Sequence, residues 1–198
     1  MAKNSYHHGN LREALLQAAR ELLVDSGVDS LSLRKIAKMA GVSATAPYSH
    51  FQDKQAVLAE LATAGFDELA NTMEQHALPH AEYSEAQLEG LAQGYVSFAV
   101  QNPALFQLMF GPTVSDLLSS ASLVIAGTRA YQLMESAVVQ RIEATGSESN
   151  THIAAAAAWS MVHGVSTLLL DGRLQAGRHG LPEQQQLVSE LCCMLKFT

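Results

Sequence analysis

The chain has 198 residues, of which 48% are hydrophobic, so it can build one compact unit or two small ones. The formal net charge of −7 excludes a polybasic surface as the means of binding an acidic partner. The first residues lack the apolar stretch of a secretory signal, so we expect a cytoplasmic protein. Cys192 and Cys193 are adjacent, which would strain a bridge between them, and we expect reduced thiols.

The first predicted helix opens at a capping box, Asn10 to Glu13, and ends near Gly27. A short second helix is predicted from the apolar spacing Leu33, Ile36, Ala37, Ala40. Gly41 is expected to end it in the left-handed conformation, and the hydroxyl of Ser43 to cap a third helix. Two short helices joined by so tight a turn predict a helix-turn-helix motif, with an ordinary helical corner as the alternative.

The remaining elements are also predicted to be helical. Asp53 caps a long helix that runs to about His76 and is closed by Pro79, and Ser84 caps the next. Further helices are expected over about 84–102, 103–111, 115–144, 151–170 and 182–196. This gives an all-α protein of about nine helices with no repeat. The segment 153–170 is apolar enough to suggest a membrane span, but its Ser, His, Gly and Thr residues favour a helix that is buried on most sides inside a soluble protein, without membrane contact.

Residues 7–61, with Leu33–Ala40, Gly41 and Tyr48-Ser-His-Phe-Gln-Asp-Lys54, resemble the amino-terminal domain of the tetracycline-repressor (TetR/AcrR) family of bacterial transcription regulators. Trp159-Ser-Met-Val-His163-Gly164 is similar to a Trp-x-x-x-His-Gly pattern of one carboxy-terminal domain type in that family. The resemblance implies a helix-turn-helix DNA-binding domain over 1–55 and a helical ligand-binding and dimerisation domain over 56–198.

Charge is divided in the same way along the chain. Residues 1–55 contain seven Lys and Arg against five Asp and Glu, whereas residues 56–198 contain five against fourteen. The net charges are therefore +2 and −9, and phosphates would be repelled by the second segment. We expect DNA binding to depend on a few placed contacts.

The second helix of the motif is expected to enter the major groove of double-stranded DNA, where small side chains let the backbone approach the base edges. Arg34 is expected to contact a phosphate, and the resemblance implies the same for Tyr48, His50 and Lys54. Phe51 is expected to be buried. Pro47 removes an early intrahelical hydrogen bond and is expected to kink or shorten this helix. The complete set of predicted DNA-binding residues is Arg34, Ser43, Ala44, Thr45, Ala46, Tyr48, Ser49, His50 and Lys54.

Aromatic and methionine side chains in the larger segment are candidates for the walls of a pocket for a small apolar or amphipathic ligand, although plain core residues would look the same. His163 is the candidate polar group. The predicted ligand-binding residues are Phe66, Tyr95, Phe98, Phe106, Met109, Phe110, Tyr131, Met134, Trp159 and His163.

Enzyme chemistry has little support. His76 and His80 have the spacing of a metal pair, but Pro79 interrupts the helix between them. The sequence has no phosphate-binding glycine loop or nucleophile elbow, so no catalytic residue, metal or cofactor is predicted. The resemblance implies instead a homodimeric repressor of a palindromic operator, paired through its last two helices, about 151–170 and 182–196, and released from DNA by a ligand. An activator or ligand-independent DNA binder, and a helical interaction protein that has lost DNA recognition, are the alternatives.

Overall fold

The computed structural model describes residues 11–79, 85–115, 117 and 119–194. Within these residues all regular elements are helical, which confirms the predicted all-α class. Two 3₁₀ turns, Ala46–Ser49 and Arg178–Gly180, accompany the α-helices. The α-helices are α1 (Leu11–Ser30), α2 (Leu33–Met39), α3 (Lys54–Ala77), α4 (Glu85–Gln101), α5 (Pro103–Phe110), α6 (Pro112–Ser115), α7 (Ala121–Thr145), α8 (Thr151–Leu170) and α9 (Gln184–Met194).

The chain forms two compact units. The first contains Met1–Gly65 and Ala104–Val124, and the second contains Phe66–Pro103 and Ile125–Thr198. This division differs from the expected one at residue 55, because α5 packs on α3 inside the first unit. The Met109 side chain packs directly on Gly65, since a Cβ atom there would lie 2.6 Å from Sδ of Met109 and would force that side chain to move.

In the first unit, α2 has well-defined ends. The hydroxyl of Ser32 accepts a hydrogen bond from the backbone N–H of Lys35, which caps the amino terminus. At the other end, Val42 N–H donates to the Ala37 carbonyl and Gly41 N–H to the Lys38 carbonyl, and Gly41 has φ +69°. This is a Schellman motif, and it confirms the predicted left-handed glycine.

Helices α1 and α3 are joined by an ion pair between Arg12 and Glu60. The Arg12 guanidinium also lies 5.4 Å from the centre of the Phe51 ring, which is buried as predicted. Burial raises the pKa of Glu60, although the charge of Arg12 opposes that shift. Helix α1 is interrupted at Gly27, whose φ of 72° and ψ of 173° are not helical, close to its predicted end.

In the second unit, α4 packs against α3, α8 and α9. Gly90 and Gly94 allow α3 to approach closely, since a Cβ atom at either position would lie 2.6 Å from the backbone of His76 or Met73. On the side facing α9, the Gln93 amide donates to the Gln185 carbonyl at 2.7 Å. These contacts place α4 at the centre of the unit.

Two predicted helix starts differ from the structure. Helix α7 begins at Ala121 rather than near Ser115, because the short helix α6 and a turn occupy the preceding residues. Helix α9 begins at Gln184, two residues after Pro182. The predicted cap at Ser84 and the predicted end at Lys196 lie outside the described residues, as does His80.

Candidate functional site

Helix α2 presents three cations. Arg34, Lys35 and Lys38 are all exposed, and residues 33–50 contain no acidic residue. Arg34 and Lys38 are four residues apart and Lys35 and Lys38 three apart, so both pairs are neighbours on the helix surface. Of these three cations the sequence predicted only Arg34 as a DNA contact. Lys38 follows Arg34 at i, i+4 and Lys35 at i, i+3, and these spacings were the signal that could have added both lysines.

The segment after Gly41 is not the predicted α-helix. Ala46–Ser49 forms a 3₁₀ turn, and the prediction that Ser43 caps a helix is wrong: its Oγ lies 3.2 Å from Oγ1 of Thr45 instead. Pro47 is the physical cause, because it has no N–H to donate to the Ser43 carbonyl, as an α-helix would require. The Ala46 N–H donates to that carbonyl at 3.0 Å, and the predicted shortening at Pro47 is confirmed.

Most residues predicted to contact DNA are exposed on the first unit. Ala46 and Lys54 are half-buried, and Pro47 is buried beneath the turn. The Ser49 hydroxyl donates to the Ala46 carbonyl at 2.7 Å, which holds the turn together. The exposed members of the predicted set are Arg34, Ser43, Ala44, Thr45, Tyr48, Ser49 and His50.

Lys54 begins α3 and contacts the preceding structure. Its Nζ donates to the Val28 carbonyl at 2.7 Å, which engages one of the three N–H groups of the ammonium. The neighbouring Asp53 accepts from the Ala56 N–H at 2.9 Å, so the predicted cap is confirmed. Lys54 therefore ties the start of α3 to the last residues of α1, and its contact with a phosphate stays a prediction.

Four of the predicted ligand-binding residues meet in the second unit. The Tyr95 ring packs edge-on against Trp159, with 5.0 Å between ring centres, and Tyr131 packs against the same indole at 5.5 Å. The Tyr95 hydroxyl lies 3.0 Å from Nδ1 of His163. Helices α4, α7 and α8 thus contribute to one aromatic cluster, defined here as Tyr95, Tyr131, Trp159 and His163.

Burial keeps the polar pair of this cluster neutral. It raises the pKa of the fully buried Tyr95 and lowers the pKa of the half-buried His163. A protonated phenol can donate its hydrogen to an unprotonated Nδ1, and this arrangement fits the distance between the two atoms. The pair satisfies buried polar atoms in an otherwise apolar contact between α4 and α8.

The other predicted ligand-binding residues are divided between the units. Phe66, Phe98 and Met134 are buried in the second unit, whereas Phe106, Met109 and Phe110 belong to the first, where the rings of Phe106 and Phe110 pack with centres 4.8 Å apart. Their role as pocket walls stays a prediction.

The second unit contains a pocket of about 300 Å³ between α3, α4 and α7. Its lining is Glu74, Ala77, Leu78, Gln87, Leu91, Leu133, Ser136, Ala137 and Gln140, and includes none of the ten predicted residues. A smaller pocket of about 220 Å³ lies beside α9. Within the described residues, no three His, Cys, Asp or Glu side chains are grouped to hold a metal ion.

Helix α8 packs one face against α4, whereas its opposite face of apolar and small residues is largely exposed, so the expectation that this helix is buried on most sides is wrong. Ile153 is 69% exposed and Leu168 39% exposed. Ala157 and Ser160 are exposed between them, and a Cβ atom on Gly164 would meet nothing within 4 Å. Among the described residues α8 is the helix that is long and apolar enough to cross a membrane, by length and composition alone.

Helix α9 exposes a large apolar side chain at Met194, which is 74% exposed. Cys192 and Cys193 beside it are both free. Burial, together with nearby Glu89 and Cys193, raises the pKa of Cys192 to about 12, so its thiol is protonated at neutral pH.

Comparisons with known proteins identify both parts of the chain. Residues 15–61 match the family described as "Bacterial regulatory proteins, tetR family", and residues 88–192 match "Tetracyclin repressor-like, C-terminal domain". The HTH-type transcriptional regulator YobS of Bacillus subtilis is 29% identical over 103 residues, which are 50% of this chain and 51% of YobS. The match thus spans about half the length of that relative.

Two solved structures have the same fold over nearly the whole chain. A protein of unknown function from Rhodococcus sp. RHA1 is 34% identical, with a TM-score of 0.82 over 98% of this chain and 97% of that one. FadR of Bacillus subtilis, solved in complex with stearoyl-CoA, is 16% identical, with a TM-score of 0.73 over 92% and 96% of the two chains. The second likeness is one of fold alone.

Proposed function

Since this chain belongs to the tetR family of bacterial regulatory proteins, we propose that it is a ligand-responsive transcriptional repressor that binds a palindromic operator as a homodimer. Members of the family bind DNA operators and small molecules and act as dimers. The proposal assigns the DNA contact to the surface of α2 and the following turn, the dimer contact to α8 and α9, and the ligand to the second unit.

The observation that carries the proposal is the chemistry of the α2 surface. Arg34, Lys35 and Lys38 are exposed on a short helix, and the adjoining turn exposes small side chains at Ala44 and Thr45. In a helix-turn-helix, the first helix crosses the phosphate backbone and the second enters the major groove. Cations on the first and small side chains at the start of the second suit these two tasks.

The division of charge supports the same assignment. The chain carries −7 overall, and α2 is a local exception with three cations and no acid. A duplex is therefore attracted to this surface and repelled by the acidic remainder of the chain. This distribution of charge would orient the protein on DNA and would also contribute to the binding affinity.

Dimerisation through α8 and α9 would cover the bare face of α8. A glycine in the middle of a helix costs ~1 kcal/mol relative to alanine, and a Cβ atom on Gly164 would meet no other part of the described structure within 4 Å. Together with Ala157 and Ser160 it would let a second copy of α8 approach closely, with Ile153 and Leu168 supplying apolar area. Two copies would read two half-sites about one helical turn apart.

Selection of bound duplexes from a random-sequence library tests the DNA claim directly. We expect enrichment of a palindrome, and mass measurements should give two chains for each recovered duplex. Enrichment of a site without two-fold symmetry, or a single chain on each duplex, would contradict the dimeric repressor.

We assign the ligand to the second unit because it combines the aromatic cluster with an amphipathic pocket between α3, α4 and α7. The pocket has an apolar floor that includes Leu91 and Leu133, with amide and hydroxyl groups from Gln87, Gln140 and Ser136 around it. This lining suits a small amphipathic molecule. FadR, which has the same fold, was solved with the amphipathic molecule stearoyl-CoA.

A ligand screen should follow two quantities together, the melting temperature and the affinity for the selected duplex. A compound that prefers the DNA-free state must raise the first and lower the second. The single tryptophan, Trp159, offers a fluorescence signal for binding in the second unit. A compound that raises the melting temperature and leaves DNA affinity unchanged would show binding without regulation.

A further inference from the structure

The turn that would enter the groove lacks the side chains that usually read bases by paired hydrogen bonds. Residues 43–49 are Ser-Ala-Thr-Ala-Pro-Tyr-Ser, without any Arg, Lys, Asn, Gln, Asp or Glu. Guanine is most often read by Arg or Lys, adenine by Asn or Gln, and cytosine by an acidic side chain. Bidentate readout of these three bases is therefore unavailable to this segment.

The hydroxyl groups of the turn are partly used within the protein. Ser43 Oγ and Thr45 Oγ1 lie 3.2 Å apart, and one of them donates to the other. The Ser49 hydroxyl donates its hydrogen to the Ala46 carbonyl at 2.7 Å. Each hydroxyl has a single hydrogen, so at most one of these three remains to donate to a base, in addition to the exposed phenol of Tyr48.

Methyl groups, by contrast, lie on exposed residues of this segment. Ala44 and Thr45 are exposed, each with a methyl group at the start of the turn, and Ala46 is half-buried beside them. Buried Pro47 fixes the turn from below and prevents its conversion to a longer helix. The surface is thus small, apolar and rigid, which permits close approach to the groove floor.

We propose, building on the function proposed above, that this protein recognises thymine in its operator through the 5-methyl group of the base, by contact with residues 44–46. Thymine alone among the four bases presents a methyl group in the major groove, and apolar side chains such as Ala and the Thr methyl are its usual partners. The phosphate contacts from α2 hold the turn in register, and the methyl contacts supply the sequence preference.

The experiment replaces thymine by deoxyuridine, one position at a time, in the duplex recovered from the random-sequence selection. Uracil keeps every hydrogen-bonding group of thymine and lacks only the methyl group. Loss of one buried methyl-sized contact is worth ~0.8 kcal/mol, so we expect about fourfold weaker binding at one or two positions in each half-site. Replacement in both half-sites should weaken binding about sixteenfold, because the two contacts multiply.

The Ala44→Gly variant removes the methyl group from the protein side. Its affinity for the thymine duplex should fall, and at the position that Ala44 contacts it should bind the thymine and uracil duplexes within about twofold of each other, while positions contacted by Thr45 or Ala46 keep their preference for thymine. Lys38→Ala is the matched control, since loss of a phosphate contact should weaken both duplexes equally. Ala44 is exposed in a turn, and an unchanged circular dichroism spectrum would verify that the variant is folded.

Uracil duplexes that bind as tightly as the thymine duplex at every position would overturn this inference and leave the repressor assignment intact. Selected half-sites without any thymine would do the same. Failure to recover any duplex would instead overturn the proposed function itself.

Discussion

Within the described residues, helices α2 and α8 each have an exposed surface, and the two surfaces are opposite in character. Helix α2 has seven residues and exposes three cations, whereas α8 has twenty residues and exposes Ile153, Ala157 and Leu168. Exposed charge is well solvated and needs no partner for stability. Exposure of an apolar helix face to water is unfavourable, and burial against another apolar surface removes that free-energy cost.

The two surfaces therefore suit different partners. In the proposed regulator, the α2 surface would attract DNA at long range, and its contacts would weaken with salt. The apolar face of α8 would interact only with a surface in direct contact, and the free energy of burying it in a dimer is largely independent of salt concentration. A regulator needs both, because the apolar contact fixes the distance between two charged reading surfaces.

The largest expected effect comes from placing a charge on the α8 face. Ala157→Glu should give monomers and weaken operator binding by more than about 100-fold, because it would bury an unpaired carboxylate at the point of closest approach. Size-exclusion chromatography with light scattering gives the mass, and fluorescence anisotropy gives the affinity.

Ala144→Glu is the matched control, an exposed alanine near the end of α7 with the same change in charge. It should keep the dimer mass and operator affinity. An Ala157→Glu protein that remains a dimer and binds the operator normally would place the interface on another face.

Thr45→Ala should have the next largest effect, restricted to the preferred sequence. The substitution removes a hydroxyl and a methyl group from the reading turn, and loss of a base contact costs roughly 1–3 kcal/mol. Titration of the selected duplex against a scrambled duplex measures the difference. Equal losses on the two duplexes would assign Thr45 to positioning alone.

We expect a smaller, sequence-independent effect at Lys54, where two roles can be separated. Lys54→Met keeps the side-chain stem and removes the ammonium that donates to the Val28 carbonyl. If Lys54 also contacts a phosphate, the slope of log affinity against log salt should fall by about 0.9 for each subunit. An unchanged slope with a lower melting temperature would leave only the structural contact.

The smallest expected effect concerns the pH dependence of stability through His163. Burial lowers its pKa from the ordinary value of 6.5, so the unfolded chain binds the proton more readily than the folded one. The contribution of His163 is therefore complete above pH 6.5 and is lost as the pH falls below it. In urea unfolding at pH 7.5 and 5.5, His163→Gln should lose less stability on acidification than the unaltered protein; equal losses would contradict this.

The sequence was sufficient to predict those features of the structure that depend on residues a few positions apart. Gly41 and the Asp53 cap follow from backbone geometry within a few residues, and both are confirmed. Ser43 was misjudged although the reason, Pro47, lies in the same turn: a missing N–H four residues on prevents the α-helix that Ser43 was expected to cap.

Contacts between helices were beyond the sequence analysis. In the sequence, nothing distinguishes Gly90 and Gly94 from other residues of a helix, and only the structure shows that α3 approaches them closely. In the same way, only the structure shows that Gly65 contacts Met109. The approach of Tyr95 to His163 joins residues 68 positions apart, and no spacing rule predicts it. Such contacts depend on which faces pack together, a choice made by the whole fold.

The central claim, that the α2 surface holds the DNA backbone, is tested most directly by the salt dependence of operator binding in two charge-matched variants. Lys38→Ala removes an exposed cation from α2, and Arg173→Ala removes one from the connection between α8 and α9. We predict that Lys38→Ala lowers the slope of log affinity against log salt by about 1.8 for the dimer, at about 0.9 per phosphate contact, and that Arg173→Ala leaves it unchanged. Equal slopes in the two variants would contradict the account.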